Sequence, residues 1–197
     1  MCERLLALML LVLLVPLYLI IGIAVWWHLG WPVLFVQGRS GAAGACFRLW
    51  KFRSMHARVS PVAQIDDTSD DRERTPPFGL WLRRTGLDEL PQLWNVVLGD
   101  MAFVGPRPLL PRYDPYYSVR ERIRFRVRPG LTGLAQVSGR RSLGWNDRLE
   151  LDAQYVERKS VILDLWVLWR TCLWTIQTRP PAPPLPDLDQ ERSILGS

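Results

Sequence analysis

Residues 5–27 read LLALMLLVLLVPLYLIIGIAVWW, an apolar run without a single charged side chain. A helix of about 20 apolar residues is long enough to cross a bilayer, so the run predicts membrane attachment. The preceding residues, MCER, have balanced side-chain charges, and no small-residue cleavage site precedes Trp26 and Trp27, unlike in a cleavable signal peptide. We therefore expect the segment to stay in the membrane.

Pro16 lies near the middle of this run and predicts a bend, because proline has no amide hydrogen to donate to the carbonyl of Val12. Each arm of about 11 residues is roughly 17 Å long, which is about half of a ~30 Å hydrocarbon core. Basic residues flank both ends, which indicates that both face the cytoplasm: Arg4 before the run and Arg39, Arg48, Lys51 and Arg53 after it. The local pattern allows a hairpin in one leaflet or a kinked spanning helix, since membrane helices tolerate proline.

Composition restricts the remaining possibilities. The 197 residues are 48% hydrophobic, enough for one domain with a core, and the net charge of +6 favours an anionic partner. That partner could be a nucleic acid, a lipid surface or a phosphorylated substrate. Three cysteines without metal-ligand spacing indicate a reducing, cytosolic compartment, and two histidines give little material for a zinc site or a Ser-His-Asp triad.

An acidic pair, Asp88 and Glu89, precedes the periodic apolar segment LDELPQLWNVVLG at 87–99. Because Pro91 fits the first turn of a helix, the pattern predicts a helix that begins near Asp88. Asp88 could serve only as its N-cap, with Thr85 completing a capping box. Adjacent helical residues point roughly 100° apart, so the pair is not a proton-sharing dyad.

Two further segments carry distinctive patterns. The stretch SVRERIRFRVRPG at 118–130 has arginine at every second position, which on a strand would form one basic face for solvent or for phosphate. The stretch DLWVLWRTCLWTIQT at 164–178 is too short to span a bilayer, and its tryptophans favour the headgroup boundary. It predicts a helix in the membrane interface, or alternatively a buried core helix.

The acidic pair also has a chemical interpretation. An ionised carboxylate can act as a nucleophile or as a magnesium ligand, but attack on a diphosphate requires cations that neutralise the phosphoryl oxygens. The turn GPRP at 105–108 supplies Arg107, whose backbone is restricted by a proline on each side. The sequence therefore offers an acid and an arginine suited to phosphoryl chemistry.

The order of several motifs resembles that of the bacterial monotopic phosphoglycosyl transferases, also called initiating sugar transferases. The resemblance covers roughly residues 5–178. The motifs are KFRSM at 51–55, LRRTGLDELPQLWNV at 82–96, GDMAFVGPRPLL at 99–110, RPGLTGLAQVSGR at 128–140 and LDAQYVERKSVILDLWVL at 151–168. The ordered set is more specific than any one motif, and it favours a chemical role for Asp88 over a mere cap.

The resemblance implies transfer of a sugar-1-phosphate from a UDP-sugar to polyprenol phosphate, with release of UMP. On matching positions, Asp88 resembles the family's nucleophile and Mg²⁺ ligand, and Glu89 its acidic partner and second metal ligand. Arg107 resembles the phosphate-binding arginine, and Arg140 and Asp152 match polar positions assigned to the substrate site. The identity of the sugar, the polyprenol, the pathway and the oligomeric state do not follow from the sequence.

The resemblance also implies an architecture. We expect a mainly α fold with a few short strands, in which a re-entrant membrane hairpin (1–30) and amphipathic interfacial helices carry a small catalytic domain (31–178). A proline-rich, disordered tail (179–197) should follow. The expected location is the cytoplasmic face of the bacterial inner membrane. One departure concerns the hairpin, because many relatives have serine where this chain has Val15.

Two other functions stay open. A membrane-anchored protein that binds nucleic acid or acidic lipid would explain the arginines but would leave Asp88 and Glu89 without a role. A magnesium-dependent phosphohydrolase acting on a lipid diphosphate would use the same acids with water as acceptor. We expect a UDP-sugar, polyprenol phosphate and the bilayer as partners, and no nucleic acid.

Overall fold

The computed structural model describes residues 2–56, 74–139 and 143–176, together with Leu188 and Arg192. The described chain is mainly helical with short strands, as the sequence predicts. Its α-helices are α1 (Cys2–Leu13), α2 (Val15–Leu29), α3 (Pro77–Thr85), α4 (Gln92–Leu98), α5 (Leu134–Ser138), α6 (Trp145–Arg158) and α7 (Val161–Ile176). Its strands are β1 (Leu34–Ser40), β2 (Cys46–Phe52), β3 (Ala102–Val104) and β4 (Gly130–Thr132).

The strands form two small sheets. β1 and β2 make an antiparallel hairpin in which Phe35 lies opposite Lys51 and Arg39 lies opposite Phe47. β3 and β4 pair in parallel, with Ala102 opposite Gly130. The sequence does not reveal the β1–β2 hairpin, because the glycines of residues 38–44 interrupt its hydrophobic pattern.

The N-terminal helices α1 and α2 are bent by 62° at Leu14, next to Pro16, which confirms the predicted bend. Neither these nor the other described helices are long and apolar enough to cross a membrane singly, although the bent pair satisfies that criterion as a unit. Ala7 and Val25 are buried against the rest of the chain, whereas many large apolar side chains are exposed. They include Leu5, Leu6, Met9, Val12, Leu13, Leu19, Ile20, Ile23, Trp26 and Trp27.

Packing joins the helix pair to the elements that carry the acidic residues. Ala7 of α1, Leu49 of β2 and Val96 of α4 belong to one buried cluster. The Tyr18 hydroxyl of α2 donates a hydrogen bond to the carbonyl of Leu90 at 2.6 Å. The turn that bears Asp88 and Glu89 is therefore fixed directly to the N-terminal helices.

The prediction of a helix that begins near Asp88 is wrong. Residues Leu87–Glu89 form a single 3₁₀ turn, and the α-helix begins only at Gln92, after Pro91. Gly86 has the left-handed conformation (φ 72°) and ends α3, so the chain reverses sharply just before the acids. Thr85 makes no capping box, because its hydroxyl donates to the carbonyls of Trp81 and Leu82 instead.

The alternating arginines do not form a strand face. Residues Glu121–Arg126 are a 3₁₀ helix, so the side chains diverge to different partners. Arg120 pairs with Glu150 and Glu157, and Arg124 is buried against Asp152. Arg120 and Arg124 therefore stabilise the contact with α6, whereas Arg128 pairs with Glu3, so the arginines do not form one basic face.

The predicted C-terminal helix is present as α7, but it begins at Val161, three residues before the predicted stretch, and it has one buried side. Val167 is fully buried, whereas Ile162, Trp166 and Trp169 are exposed, so α7 is not an enclosed core helix. The side chain of Trp174, the third predicted interfacial tryptophan, lies outside the described part. Of the tail, only Leu188 and Arg192 are described, so the prediction of disorder for 179–197 concerns residues outside the described ones.

Candidate active site

Asp88 lies at the centre of the site and is nearly buried, with 7% of its surface exposed. Its carboxylate makes no hydrogen bond or ion pair with any residue that the structure describes. Burial raises its pKa and the charge of Glu89 adds to this, while Lys51, Arg107 and Arg83 act in the opposite direction. A buried carboxylate without a partner is costly to the fold, so its presence in this position favours a ligand-binding role.

Glu89 differs from its neighbour because two cations hold it. Lys51 Nζ donates to Glu89 Oε1 at 2.6 Å, and Arg107 Nη2 donates to the same oxygen at 2.9 Å. Burial alone would raise the pKa of Glu89, but Arg107 and Lys51 outweigh it and hold the pKa below its ordinary value. Glu89 is therefore ionised at neutral pH and orients both cations beside Asp88.

The turn that carries Arg107 is fixed by its backbone. Gly105 donates to the carbonyl of Thr132 at 2.9 Å, and Gly130 donates to the carbonyl of Pro106 at 3.0 Å. A Cβ on Gly105 would lie 2.5 Å from the carbonyl oxygen of Arg128, so only glycine permits this close approach. The turn consequently presents Arg107 to Glu89 from a rigid support.

Asp152, a predicted substrate contact, lies behind this turn. It is buried, and its Oδ2 lies 3.2 Å from Nη2 of the buried Arg124. Arg124 Nη2 also donates to the main-chain carbonyl of Arg107. Burial raises the pKa of Asp152 to about 6, against the opposing charges of Arg124 and Arg148. The geometry makes Asp152 and Arg124 positioning residues for the Arg107 turn.

We expect Arg124→Lys to reduce kcat roughly tenfold while the KM for substrate changes little. Lysine keeps the positive charge opposite Asp152, but it lacks the guanidinium fork that also reaches the Arg107 carbonyl. Steady-state kinetics would measure the change. If Arg124 acts only through Arg107, the double variant Arg107→Ala/Arg124→Lys should be no slower than Arg107→Ala. Additive losses in that cycle would contradict the positioning role.

Comparison with known proteins identifies the family of this chain. The family model described as bacterial sugar transferase matches residues 1–178, nearly the whole chain. The chain belongs to the bacterial sugar transferase family. The resemblance deduced from the ordered motifs is thereby confirmed at the level of the family, which is a family of enzymes.

Individual relatives of the family are substantially similar. An uncharacterized sugar transferase of Bacillus subtilis, EpsL, is 42% identical over 143 residues, which are 73% of this chain and 69% of that protein. The UDP-glucose:undecaprenyl-phosphate glucose-1-phosphate transferase of Caulobacter vibrioides is 41% identical over 170 residues, 84% of this chain and 62% of its own. The Escherichia coli protein of the same description is 37% identical over 179 residues, 86% of this chain and 38% of its own.

Three of the predicted site residues of this family member are together in space. Asp88 and Glu89 share one turn, and Arg107 contacts Glu89. Arg140 lies outside the described residues. Lys51, the fourth member of the arrangement, was not singled out as a site residue from the sequence although it begins the KFRSM motif, because only the fold brings β2 beside a turn 38 residues away.

Asp88 and Glu89 fit a magnesium site that substrate would complete. Mg²⁺ in phosphate sites is usually held by one or two carboxylates together with substrate oxygens. Both oxygens of Asp88 and Oε2 of Glu89 accept no hydrogen bond from a described residue, so they remain available to a cation. No larger group of His, Cys, Asp or Glu side chains suited to a metal occurs in the described ranges, and the predicted Mg²⁺ remains a prediction.

Proposed function

We propose that the chain transfers a sugar-1-phosphate from a UDP-sugar to polyprenol phosphate of the undecaprenyl type, releasing UMP, at the cytoplasmic face of the bacterial inner membrane. The names of the relatives support the substrate classes, and the chain spans between about a third and two thirds of those relatives' lengths. The observation that carries the proposal is the buried Asp88 carboxylate, which pairs with none of the described residues, beside an ion-paired Glu89.

In the first step, an oxygen of Asp88 attacks the sugar-linked phosphorus of the UDP-sugar. The bond between this phosphorus and the bridging oxygen breaks, and UMP leaves with that oxygen. Asp88 must be ionised to attack, and its position beside Lys51 and Arg107 supplies positive charge for the phosphoryl oxygens. Bound at Asp88 and Glu89, magnesium would further reduce the repulsion between carboxylate and phosphate.

In the second step, a phosphate oxygen of polyprenol phosphate attacks the same phosphorus and the bond to Asp88 breaks. The product is a polyprenyl diphosphate sugar, and the carboxylate is regenerated. Glu89 keeps Lys51 and Arg107 in place through both steps. Because one carboxylate serves both half-reactions, UMP is released before the lipid reacts, and the kinetics should be ping-pong.

We infer that α1 and α2 form a re-entrant hairpin that places the site at the membrane surface. Both ends of the pair are attached to the same domain: Glu3 pairs with Arg128 at 2.5 Å, and Arg53 donates to the carbonyls of Leu29 and Gly30. A segment with both ends on one domain enters and leaves the bilayer on one side. The exposed tryptophans of α7, Trp166 and Trp169, suit the headgroup region of that same side.

The test of the reaction measures UMP release from UDP-glucose and related UDP-sugars, with and without polyprenol phosphate. We expect stoichiometric UMP release without the lipid, continuous turnover with it, and loss of turnover when Mg²⁺ is removed. Free sugar phosphate in the absence of the lipid would instead identify a phosphohydrolase. An absence of UMP under all conditions would contradict the proposal.

If α1 and α2 form a re-entrant hairpin, native Cys2 and Cys46 should lie on the same side of the membrane, and both are exposed. Two proteins, each retaining one of these cysteines, should resist an impermeant thiol reagent in intact cells and react after permeabilisation. Pro16→Leu should straighten the pair and increase labelling of Cys2 from outside. Labelling of Cys2 but not Cys46 in the parent protein would show a spanning helix.

A further inference from the structure

A second arginine, Arg39 at the end of β1, lies near the active site without serving the steps described above. Its charge interacts with those of Arg107, Tyr113, Glu89 and Arg112, so Arg39 lies in the neighbourhood of the Glu89–Arg107 pair. Neither the motif resemblance nor the comparisons assign it a role. The charge that acts most strongly on Arg39 is that of Arg107, and the repulsion between these two cations is unfavourable without an anion.

The antiparallel hairpin of β1 and β2 fixes the position of Arg39. Side chains of directly opposed residues in an antiparallel pair lie on the same face, and residues two apart along a strand share a face. Phe35 lies opposite Lys51 in the register, so Lys51 and Arg39 project from the same face of the hairpin. The next residue, Ser40, donates its amide to the carbonyl of Leu109 at 3.0 Å, which attaches the end of β1 to the segment after Arg107.

The guanidinium of Arg39 is only partly satisfied. Nη2 donates to Gln37 Oε1 at 2.6 Å, and Nε is buried with no hydrogen-bond partner. Arg39 forms no ion pair with any residue in the described part of the chain. Burial, and then the charge of Arg107, lower the pKa of Arg39 to about 10, while Tyr113 and Glu89 oppose the shift. A partly buried arginine with a buried, unsatisfied Nε and no counter-charge is expected to bind an anion from outside the protein.

The carboxylate of Glu89 does not supply that counter-charge, because it forms ion pairs with Lys51 and Arg107 and none with Arg39. Lys51 and Arg107 already share Oε1 of Glu89, and Arg39 is the additional cation on this side. A diphosphate offers several acceptor oxygens, and the planar fork of arginine matches phosphate geometry with two parallel hydrogen bonds. The arrangement therefore suits a phosphorylated substrate that bridges Arg39 and Arg107.

We propose that Arg39 binds the diphosphate of the nucleotide sugar, next to Arg107. The inference rests on the proposed function, because that function supplies a nucleoside diphosphate sugar as substrate. Arg39 would contact the diphosphate from strand β1, while Arg107 contacts it from the GPRP turn at 105–108. Asp88 would then meet a phosphorus whose orientation both arginines fix.

The test compares Arg39→Gln with Arg48→Gln in the full-length protein in detergent. Arg48 is an exposed arginine of β2 that lies opposite Gly38, so it projects from the other face of the same hairpin and is a matched control. Calorimetry with UDP as the probe should show affinity reduced roughly ten- to a hundredfold for Arg39→Gln, the loss typical of hydrogen bonds to charged groups. Arg48→Gln should bind UDP as the parent does.

Further measurements separate the possible outcomes. Arg39→Lys keeps the charge without the fork, so its UDP affinity should fall between those of Arg39→Gln and the parent protein. Unchanged UDP affinity in Arg39→Gln would overturn the assignment. A change confined to the KM for polyprenol phosphate would also overturn it, because the phosphate at Arg39 would then be that of the lipid. If the parent protein releases no UMP from any UDP-sugar, the proposed function itself fails.

Discussion

Asp88→Asn is expected to lower turnover by roughly 10⁴-fold or more, because loss of a nucleophile removes the covalent route altogether. Asparagine has nearly the same size but carries no charge and is a poor nucleophile. With UDP-sugar labelled in the sugar phosphate and no lipid, the parent protein should carry label on the peptide that contains Asp88, and the variant should carry none. Mass spectrometry of the digested protein would show the difference.

The same substitution should stabilise the fold. Burial raises the pKa of Asp88 in the folded state, so the ionised form costs the folded protein free energy that the unfolded chain does not lose. The cost is absent below the ordinary Asp pKa of about 3.9 and grows as pH rises to the raised value. Asparagine avoids it, and each ~1 kcal/mol recovered should raise Tm by about 2–4 °C at neutral pH.

Asp147→Asn is the matched control, since Asp147 is an exposed acid in the first turn of α6. It should keep near-normal turnover and should not raise Tm. For the parent protein, the acid limb of the kcat profile should lie above the ordinary range of an Asp, because Asp88 must lose its proton before it attacks. Near-normal turnover of Asp88→Asn would exclude the covalent mechanism.

The sequence predicts features that depend on local chemistry. The missing amide hydrogen of Pro16 is sufficient to predict the bend, and the structure has it at Leu14. The apolar pattern of 164–178 is sufficient to predict most of α7. In both cases the cause lies within a few residues of the effect, so no tertiary information is needed.

Features that depend on tertiary contacts cannot be predicted from the local sequence pattern. The sequence predicts the start of α4 too early, because the reversal at Gly86 and the Tyr18 hydrogen bond to Leu90 hold residues 87–89 in a separate turn. The alternating arginines of 118–130 suggest a strand face, yet Arg120 and Arg124 pair with acids of α6: Glu150, Glu157 and Asp152. Local periodicity contains no information about such distant partners.

Glu89→Gln is expected to lower kcat/KM by about 10²- to 10³-fold, the usual loss when a preorganised electrostatic contact in an active site is removed. Glutamine can still accept a hydrogen bond at the position of Oε1, but it leaves Lys51 and Arg107 without their shared charge. The two cations would then repel each other, and Arg107 would leave its position beside Asp88. Steady-state kinetics with UDP-sugar and polyprenol phosphate would measure the loss.

The pH dependence distinguishes this electrostatic role from a general loss of structure. Burial lowers the pKa of Lys51, and Glu89 opposes that shift, so Glu89→Gln should lower the Lys51 pKa further. The protonated amine would be lost at a lower pH than in the parent protein, and the alkaline limb of the rate profile should move toward neutral pH. Glu89→Gln leaves the Lys51 amine unpaired, which should lower Tm. The double variant Glu89→Gln/Lys51→Met removes this amine, so its Tm should be higher than that of Glu89→Gln, whereas its activity should not recover. An alkaline limb that does not move would contradict the pairing of Glu89 with Lys51 as the source of the effect.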